Sequence, residues 1–401
     1  MNVIILGAGA SKSYQDSNTK LRMPIATDFF STFNKLEISS NPWVLVGNIL
    51  NYLKRFHGLE YEDFTHYNED IEKLHSEIES KLIDAFKYND RFQDIESILT
   101  SGSYVQLIFL FNSVINEIQR GPVSKPHIKL AQKLCLGDTV LTFNWDTLMD
   151  RALEQETNWT CDNGYFVSPN LIYRDKWVAR TETTNDNYPL LIKLHGSTNW
   201  LTSYMIVEES KFKLLQELTP EEFFVYESTI RPYSTYDGRY MAGYNDFSYG
   251  YYPPNLPLKG TKLPDGMLLV RNIMRTGYNP KGESEDKGLV SMPLIIPPVQ
   301  DKKYDFYGDL FKQLWDKAEE SLIKTEKISI IGYSFPKSDI KTDVLFRNAF
   351  TKRKTMPEII IINPNPESIL ERFIFDYGIS NDKITVYKEY FSDDFDFDKI
   401  E

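Results

Sequence analysis

The sequence predicts an α/β protein built on a Rossmann-like, doubly wound and mainly parallel sheet. Short runs of β-branched and aliphatic residues alternate along the chain with segments that carry apolar residues at helical spacing. The runs are apolar throughout, as expected for parallel strands that are covered on both faces. A glycine-rich turn over residues 7–11 directly follows the first run, and sheets of this kind bind their ligands at such strand ends.

The predicted elements follow one another in a regular order that is interrupted twice. Strands are predicted at Asn2–Leu6, Asp138–Phe143, Leu190–Leu194, Leu294–Ile296, Lys327–Ile331, Glu358–Ile362 and Lys383–Tyr387. Helices are predicted at Asp70–Phe86, Ile95–Ile118, Asp146–Glu154, Tyr304–Lys324 and Asp339–Phe350. We therefore predict a single catalytic domain over residues 1–401. It carries a helical insertion at 27–128 and an irregular insertion at 203–290 that is rich in tyrosine, glycine and proline.

Composition narrows the class of protein further. The 401 residues are 41% hydrophobic, enough for a large core, and their net charge of −12 argues against a protein that grips nucleic acid by its phosphates. The most apolar window, Val105–Ile115, is too short to span a bilayer, and the N-terminus lacks the features of a signal peptide. Cys135 and Cys161 are isolated from each other, so we expect no structural zinc. A cytoplasmic protein without metal or membrane anchor is predicted.

Polar residues follow the first two strands of the predicted sheet. The turn Gly7-Ala8-Gly9-Ala10-Ser11 lets the backbone approach a pyrophosphate, although Lys12 stands where the dinucleotide fingerprint has its third glycine. Asn144 and Asp146 follow the second strand, where they fit the rim of a ligand site and equally the start of a helix.

Three later strands also end in residues that suit a ligand site. His195 follows Leu190–Leu194, and a histidine can take or give a proton near neutral pH. The chain's other histidines, His57, His66, His75 and His127, fall in the helical region and are expected to be packing or surface residues. Gly332 and Ser334 follow the strand at Lys327–Ile331, and Asn363 follows the next; these two turns are also compatible with ordinary turn chemistry.

The five strand ends together carry the series GAGAS, TFNWD, KLHGSTNW, GYSFP and INPN. This series resembles the sirtuin family, and its spelling is most similar to the bacterial sirtuin-like proteins of anti-phage defence, which are typically NAD⁺ hydrolases. The resemblance implies that Asn144 holds the nicotinamide ribose or an attacking water and that His195 is the general base. It implies NAD⁺-binding roles for Gly7, Ala8, Gly9 and Ser11 at the pyrophosphate, Asp146 at the carboxamide, Gly332 and Ser334 at phosphate or ribose, and Asn363 at the adenosine ribose.

Two departures from the family pattern bear on the activity. Deacetylating sirtuins carry a zinc ribbon with four cysteines, which this chain lacks, and their Gly-Ile-Pro-Asp-Phe-Arg segment corresponds here to residues 23–28 without the arginine. The resemblance therefore implies an NAD⁺ glycohydrolase (NADase) that releases nicotinamide and linear or cyclic ADP-ribose. The alternatives are an NAD-dependent protein deacylase without a zinc ribbon and a non-catalytic NAD or ADP-ribose sensor. The presence of both Asn144 and His195 favours an enzyme.

An unregulated NAD⁺ hydrolase would kill its host, so we expect control of the activity. The resemblance implies an NAD-depleting effector of abortive infection that acts as a homo-oligomer. It also implies a separately encoded regulatory partner, such as a HerA-like DNA-translocase ATPase or an Argonaute-type protein. The regions 27–128 and 203–290 are the candidate interaction surfaces, and the alternative is that they form lids over the NAD⁺ cleft.

Overall fold

The computed structural model describes residues 1–36, 42–88, 95–174, 177–181, 188–203, 206–208, 213–216, 223–227, 249–252, 268–271, 289–296, 309–336 and 339–400. Its helices are α1 (Ala8–Ser11), α2 (Phe29–Phe33), α3 (Pro42–His57), α4 (Ile71–Tyr88), α5 (Ile95–Ile118), α6 (Lys125–Lys133), α7 (Leu148–Glu156), α8 (Asp309–Lys324), α9 (Ile340–Thr351) and α10 (Glu367–Glu371). Its strands are β1 (Asn2–Leu6), β2 (Thr139–Thr142), β3 (Leu171–Tyr173), β4 (Trp177–Ala179), β5 (Leu190–Lys193), β6 (Gly196–Ser203), β7 (Ile206–Glu208), β8 (Lys213–Gln216), β9 (Phe223–Tyr226), β10 (Tyr249–Tyr252), β11 (Leu268–Arg271), β12 (Leu289–Ile295), β13 (Lys327–Ile331), β14 (Glu358–Ile362) and β15 (Ile384–Tyr387).

The main sheet has six parallel strands in the order β15-β14-β13-β1-β2-β5. The chain thus starts in the middle, runs to one edge through β2 and β5, and returns to β13 on the other side of β1. This is the strand order of the Rossmann fold, so the predicted fold class is confirmed. The inner strands β1, β2, β13 and β14 are buried along almost their whole length, which explains why they read as unbroken apolar runs.

The helical region between β1 and β2 forms a second hydrophobic core. Its central helix α5 spans Ile95–Ile118 as predicted and packs against α3 and α4. The core also includes Leu148 at the start of α7 and Ile295 at the end of β12, so this region packs directly on the sheet domain. Within the described ranges, the helices are all too short or too polar to cross a membrane.

A second, mixed sheet has the strand order β10-β11-β12-β6-β9-β3-β4. Its strands lie between β2 and β13 in the chain. The run Leu294–Ile296, predicted as a further strand of the main sheet, lies instead at the end of β12, which pairs antiparallel with β6. A short apolar run does not reveal which sheet it joins, and this explains the difference. Five strands, β7 to β11, fall within 203–290, where the sequence suggested irregular structure; most of that segment lies outside the described residues.

Candidate functional site

The predicted site residues that follow β1 and β13 meet at the point where the strand order reverses. These two strands are neighbours in the sheet, with Leu6 paired to Ile331, so their following turns emerge side by side at the carboxyl edge. In open α/β sheets this crevice is the usual ligand site.

The two turns approach so closely that both require glycine. A Cβ atom on Gly7 would lie 2.5 Å from Tyr333 Cα, and one on Gly9 would lie 2.9 Å from Gly332 Cα. Gly332 has a φ of +62°, and a Cβ there would lie 2.4 Å from Ala10 N. The glycines that the sequence predicts at the ligand site therefore also allow the two turns to pack against each other.

Hydrogen bonds lock this glycine contact. Gly7 N donates to Ile331 O over 3.0 Å, and Gly9 N donates to Gly332 O over 2.9 Å. These two N–H groups are thus committed within the protein in this conformation. Ala8 and Gly9 form the exposed part of the turn, where a ligand has access.

Gly332→Ala tests how much the site depends on this contact. Both the left-handed backbone and the overlap with Ala10 N disfavour a side chain, so we expect a loss of about 1–3 kcal/mol in unfolding free energy from the backbone strain alone and more from the overlap. Gly378→Ala is the matched control, because its φ is +69° but a Cβ there meets nothing within 4 Å. Denaturant unfolding of both variants measures the difference. Equal losses would show that the turns can separate without cost.

Ser11, Asn144 and Asp146 form a buried hydrogen-bonded cluster beside the glycine turn. Asn144 Nδ2 donates to Gly7 O over 2.8 Å and to Ser11 Oγ over 2.7 Å. Ser11 Oγ in turn donates to Asp146 Oδ2 over 2.5 Å. The structure therefore brings together residues from the ends of β1 and β2 that lie more than 130 positions apart in the chain.

These bonds leave specific atoms of the cluster able to meet a ligand. Both amide hydrogens of Asn144 are used, so its Oδ1 is the atom that can accept a hydrogen bond from a water or a substrate hydroxyl. Asp146 Oδ1 accepts from Leu148 N over 3.1 Å, at the first residue of α7. Asp146 thus serves the helix start, as one reading of the sequence suggested. Its carboxylate oxygens keep lone pairs for a further donor.

His195 lies between the two sheets, after β5 ends and immediately before β6 begins. Its ring is 2% exposed, and Nδ1 lies 3.1 Å from Phe143 O. A carbonyl can only accept, so Nδ1 carries the hydrogen and Nε2 bears the lone pair in the neutral ring. The peptide bond of His195 is held too, since its carbonyl accepts from Ile296 N over 2.8 Å. The geometry gives His195 the tautomer that a general base acting through Nε2 requires.

Aromatic rings enclose His195 on two sides. Phe143 meets the histidine ring edge-on at 5.4 Å and stacks on Tyr333 at 4.3 Å, while Trp145 lies 5.6 Å from the histidine ring. Trp145 is itself fixed by a 3.0 Å bond from Nε1 to Ile296 O. The rings restrict the histidine's orientation and lower the local polarity.

Lys193, which precedes His195 by two positions, was not predicted as a site residue. Its ammonium group is completely buried and donates to Asp146 O over 2.5 Å and to Asp150 Oδ2 over 2.8 Å. Asp150 also accepts from Tyr165 OH over 2.5 Å. Lys193 therefore supports the turn that carries Asn144 and Asp146. A lysine inside the apolar run LLIKL is the signal that sequence reasoning could have used, because a buried lysine needs a buried partner.

Two predicted ligand residues lie at the same edge without contacting this cluster in the described structure. Ser334 is exposed in the turn after β13. Asn363 follows β14, one strand further from β1, where its Oδ1 accepts from Asn365 N over 2.9 Å. Asn363 therefore performs the ordinary turn chemistry that the sequence allowed, at a position that an extended ligand lying along the sheet edge would reach.

The other histidines lie away from this edge. His75 and His127 are buried, and desolvation lowers the pKa of each to about 3. His127 Nδ1 lies 2.7 Å from Ser124 Oγ, and His57 faces Glu77 on the helical region. They act as packing and surface residues in the described structure.

Cys161, Asp162 and Glu227 form a compact group with the spacing of metal ligands. Arg174 lies among them, bonded to the Asp162 carboxylate and, at 2.9 Å, to Glu227 Oε2. Burial raises the pKa of the Cys161 thiol well above its usual range, which disfavours the thiolate that a metal needs. The guanidinium thus supplies the positive charge here. Nearby Glu154 has its pKa raised to about 7, chiefly by burial and then by Glu227 and Asp150.

The sequence matches no protein-family model and no curated protein.

Proposed function

We propose that the protein is an NAD⁺ glycohydrolase of the sirtuin-like type, which cleaves the bond between nicotinamide and ribose. The observation that carries the proposal is the joint placement of Asn144 and His195. The histidine ring is bonded to the carbonyl of Phe143, the residue that directly precedes Asn144. A group that can orient a water and a group that can accept its proton are thereby attached to one short segment, the turn after β2, which the bond from Asn144 to Gly7 O joins to the switch point.

The chemistry needs little more than orientation and proton transfer. Positive charge develops on the ribose as nicotinamide leaves, and a nucleophile must reach the face opposite the leaving group. Asn144 Oδ1 accepts a hydrogen bond from the attacking water, and His195 Nε2 takes the proton directly or through a ribose hydroxyl. The water oxygen ends on the ribose carbon, which gives ADP-ribose and free nicotinamide.

The remaining residues of the edge hold the substrate. Asp146 accepts a hydrogen bond from the nicotinamide carboxamide while its helix-start bond to Leu148 N persists. The pyrophosphate lies over the exposed Ala8 and Gly9, with Gly332 and Ser334 flanking it. Asn363 lies further along the same edge, on the side of the adenosine ribose. Since the glycines lack side chains, the substrate can approach the backbone closely.

The test is an incubation of purified protein with NAD⁺, followed by chromatography for nicotinamide, ADP-ribose and cyclic ADP-ribose. We expect nicotinamide to appear in equal amount to the sum of the two ADP-ribose forms. Omission of any added acyl-lysine peptide is part of the design, because a deacylase would release nicotinamide only with such a peptide.

The same incubation separates the alternatives. Release only with an acyl-lysine peptide would replace the proposal with a deacylase. No release under either condition, at increasing protein concentration or with a candidate partner added, together with saturable binding of NAD⁺ or ADP-ribose by calorimetry, would replace it with a sensor. We further propose that activity in the cell is regulated by self-assembly or by a partner, such as a HerA-like ATPase. Repeating the incubation at increasing protein concentration tests the first of these.

A further inference from the structure

Gln119, the residue that follows α5, joins the helical region to two segments of the candidate site, the turn after β2 and the start of β6. It was not part of any sequence motif and is completely buried. Its Oε1 accepts from Thr147 N over 2.7 Å and from Thr147 Oγ1 over 3.1 Å, just before α7 begins. Its Nε2 donates to Thr198 Oγ1 over 3.2 Å and to Asn116 Oδ1 over 2.6 Å.

The two threonines place Gln119 between the residues that the proposed reaction uses. Thr147 directly follows Asp146 and is three positions from Asn144, and Thr198 is three positions from His195. The turn after β2 and the start of β6 also contact each other, since Thr198 N donates to Trp145 O over 2.8 Å. Gln119 adds a brace from the opposite side. Its own carbonyl accepts from Arg151 Nη1 over 3.0 Å, which anchors it to the body of α7.

We infer that Gln119 is a positioning residue, which sets the separation of Asn144 and His195 through one side-chain amide. The inference rests on the proposed function for its catalytic consequence, but the brace itself is a property of the fold. A misplacement of about 1 Å between reacting groups can cost on the order of 100-fold in rate. The helical region thus acts on the site through the residue that follows α5.

Three substitutions separate positioning from simple stability. Gln119→Met keeps the length and removes every side-chain hydrogen bond. Gln119→Glu keeps the two bonds from Thr147 at the positive end of α7. The Thr198 hydroxyl can rotate and the Asn116 amide can flip, so that both donate to the carboxylate. Gln106→Met is the matched control. Gln106 is a buried glutamine within α5, and its Oε1 also accepts two hydrogen bonds, but their donors are the backbone N–H groups of Asn48 and Ile49 in the helical region.

Hydrogen–deuterium exchange and steady-state kinetics form the measurement. In Gln119→Met we expect residues 139–150 and 194–202 to exchange faster together, with kcat lowered on the order of 10- to 100-fold and KM little changed. Gln119→Glu should resemble the wild type. Gln106→Met should loosen the helical region and leave kcat and KM of the folded protein unchanged.

Two results would overturn the inference. One is that residues 139–150 and 194–202 keep their wild-type protection from exchange in Gln119→Met. The other is a kcat loss in Gln106→Met as large as that in Gln119→Met. If the wild type releases no nicotinamide, even at high protein concentration and with a candidate partner added, the proposed function fails. The exchange data still decide whether Gln119 braces residues 139–150 and 194–202.

Discussion

His195→Gln is expected to lower the rate of nicotinamide release by about 10²- to 10⁴-fold, the range that a general base contributes. Glutamine has a similar length, and its amide can still donate to Phe143 O, where the histidine Nδ1 now lies. The hydrogen bond to Phe143 O is thereby kept, while the basic nitrogen Nε2 is lost. Thermal unfolding should change little, and the affinity for ADP-ribose should be retained because His195 is not placed at the pyrophosphate.

The control for this prediction is His127→Gln. His127 is buried to the same degree, and its ring contacts Ser124 and Phe391. We expect full turnover from the folded fraction of this variant. Near-wild-type turnover by His195→Gln, with the ring demonstrably replaced, would remove His195 from the mechanism.

Asn144→Ala should also slow release strongly, for a reason that includes the glycine turn. Alanine removes the oxygen that orients the water and also the two bonds to Gly7 O and Ser11 Oγ. Because Asn144 and His195 act on the same water, their effects should not add. The double variant should be no slower than the slower single variant, and a multiplicative loss would indicate independent roles.

The parallel sheet could be predicted because each of its strands is marked locally. After one charged residue each, β13 (KISII) consists of isoleucine and serine and β14 (EIIII) of isoleucine, and these residues are buried. The structure confirms the bounds that the sequence predicts for both strands. The partner of a strand is not marked in this way. The run Leu294–Ile296 therefore looked like a seventh strand of the same sheet, although it lies in β12 and pairs with β6 in the second sheet.

The same distinction, between a local sequence signal and the choice of a distant partner, applies to the candidate site. Residues at strand ends, such as Ser11, Asn144 and His195, could be named because the fold class predicts where strand ends meet. Gln119 could not, because its role depends on which distant groups it reaches. Lys193 stands out as a lysine within an apolar run, which indicates a buried partner, but the run does not identify that partner as Asp150 or the carbonyl of Asp146. Gln119 reads as one more polar residue after a long helix. Its partner Thr198 lies 79 positions away in the chain, in strand β6 of the second sheet.

Lys193→Met is expected to destabilise the protein by about 3–5 kcal/mol, since it leaves the Asp150 carboxylate buried without its cation. The side chains of this pair are 1% and 7% exposed. Denaturant unfolding measures the loss. Lys388→Met is the control, because Lys388 and Glu367 form an ion pair that is mostly exposed and whose removal should leave stability unchanged.

Adding Asp150→Asn to Lys193→Met separates charge balance from positioning. The second substitution removes the uncompensated charge, and the asparagine oxygen can still accept from Tyr165 OH, so much of the lost stability should return. Turnover should stay low, because the bond from Lys193 Nζ to Asp146 O is still missing and the turn that carries Asn144 has lost its support. If turnover returned together with stability, Lys193 would serve only to neutralise Asp150, and the placement of Asn144 would depend on the Ser11 cluster and the Gln119 brace alone.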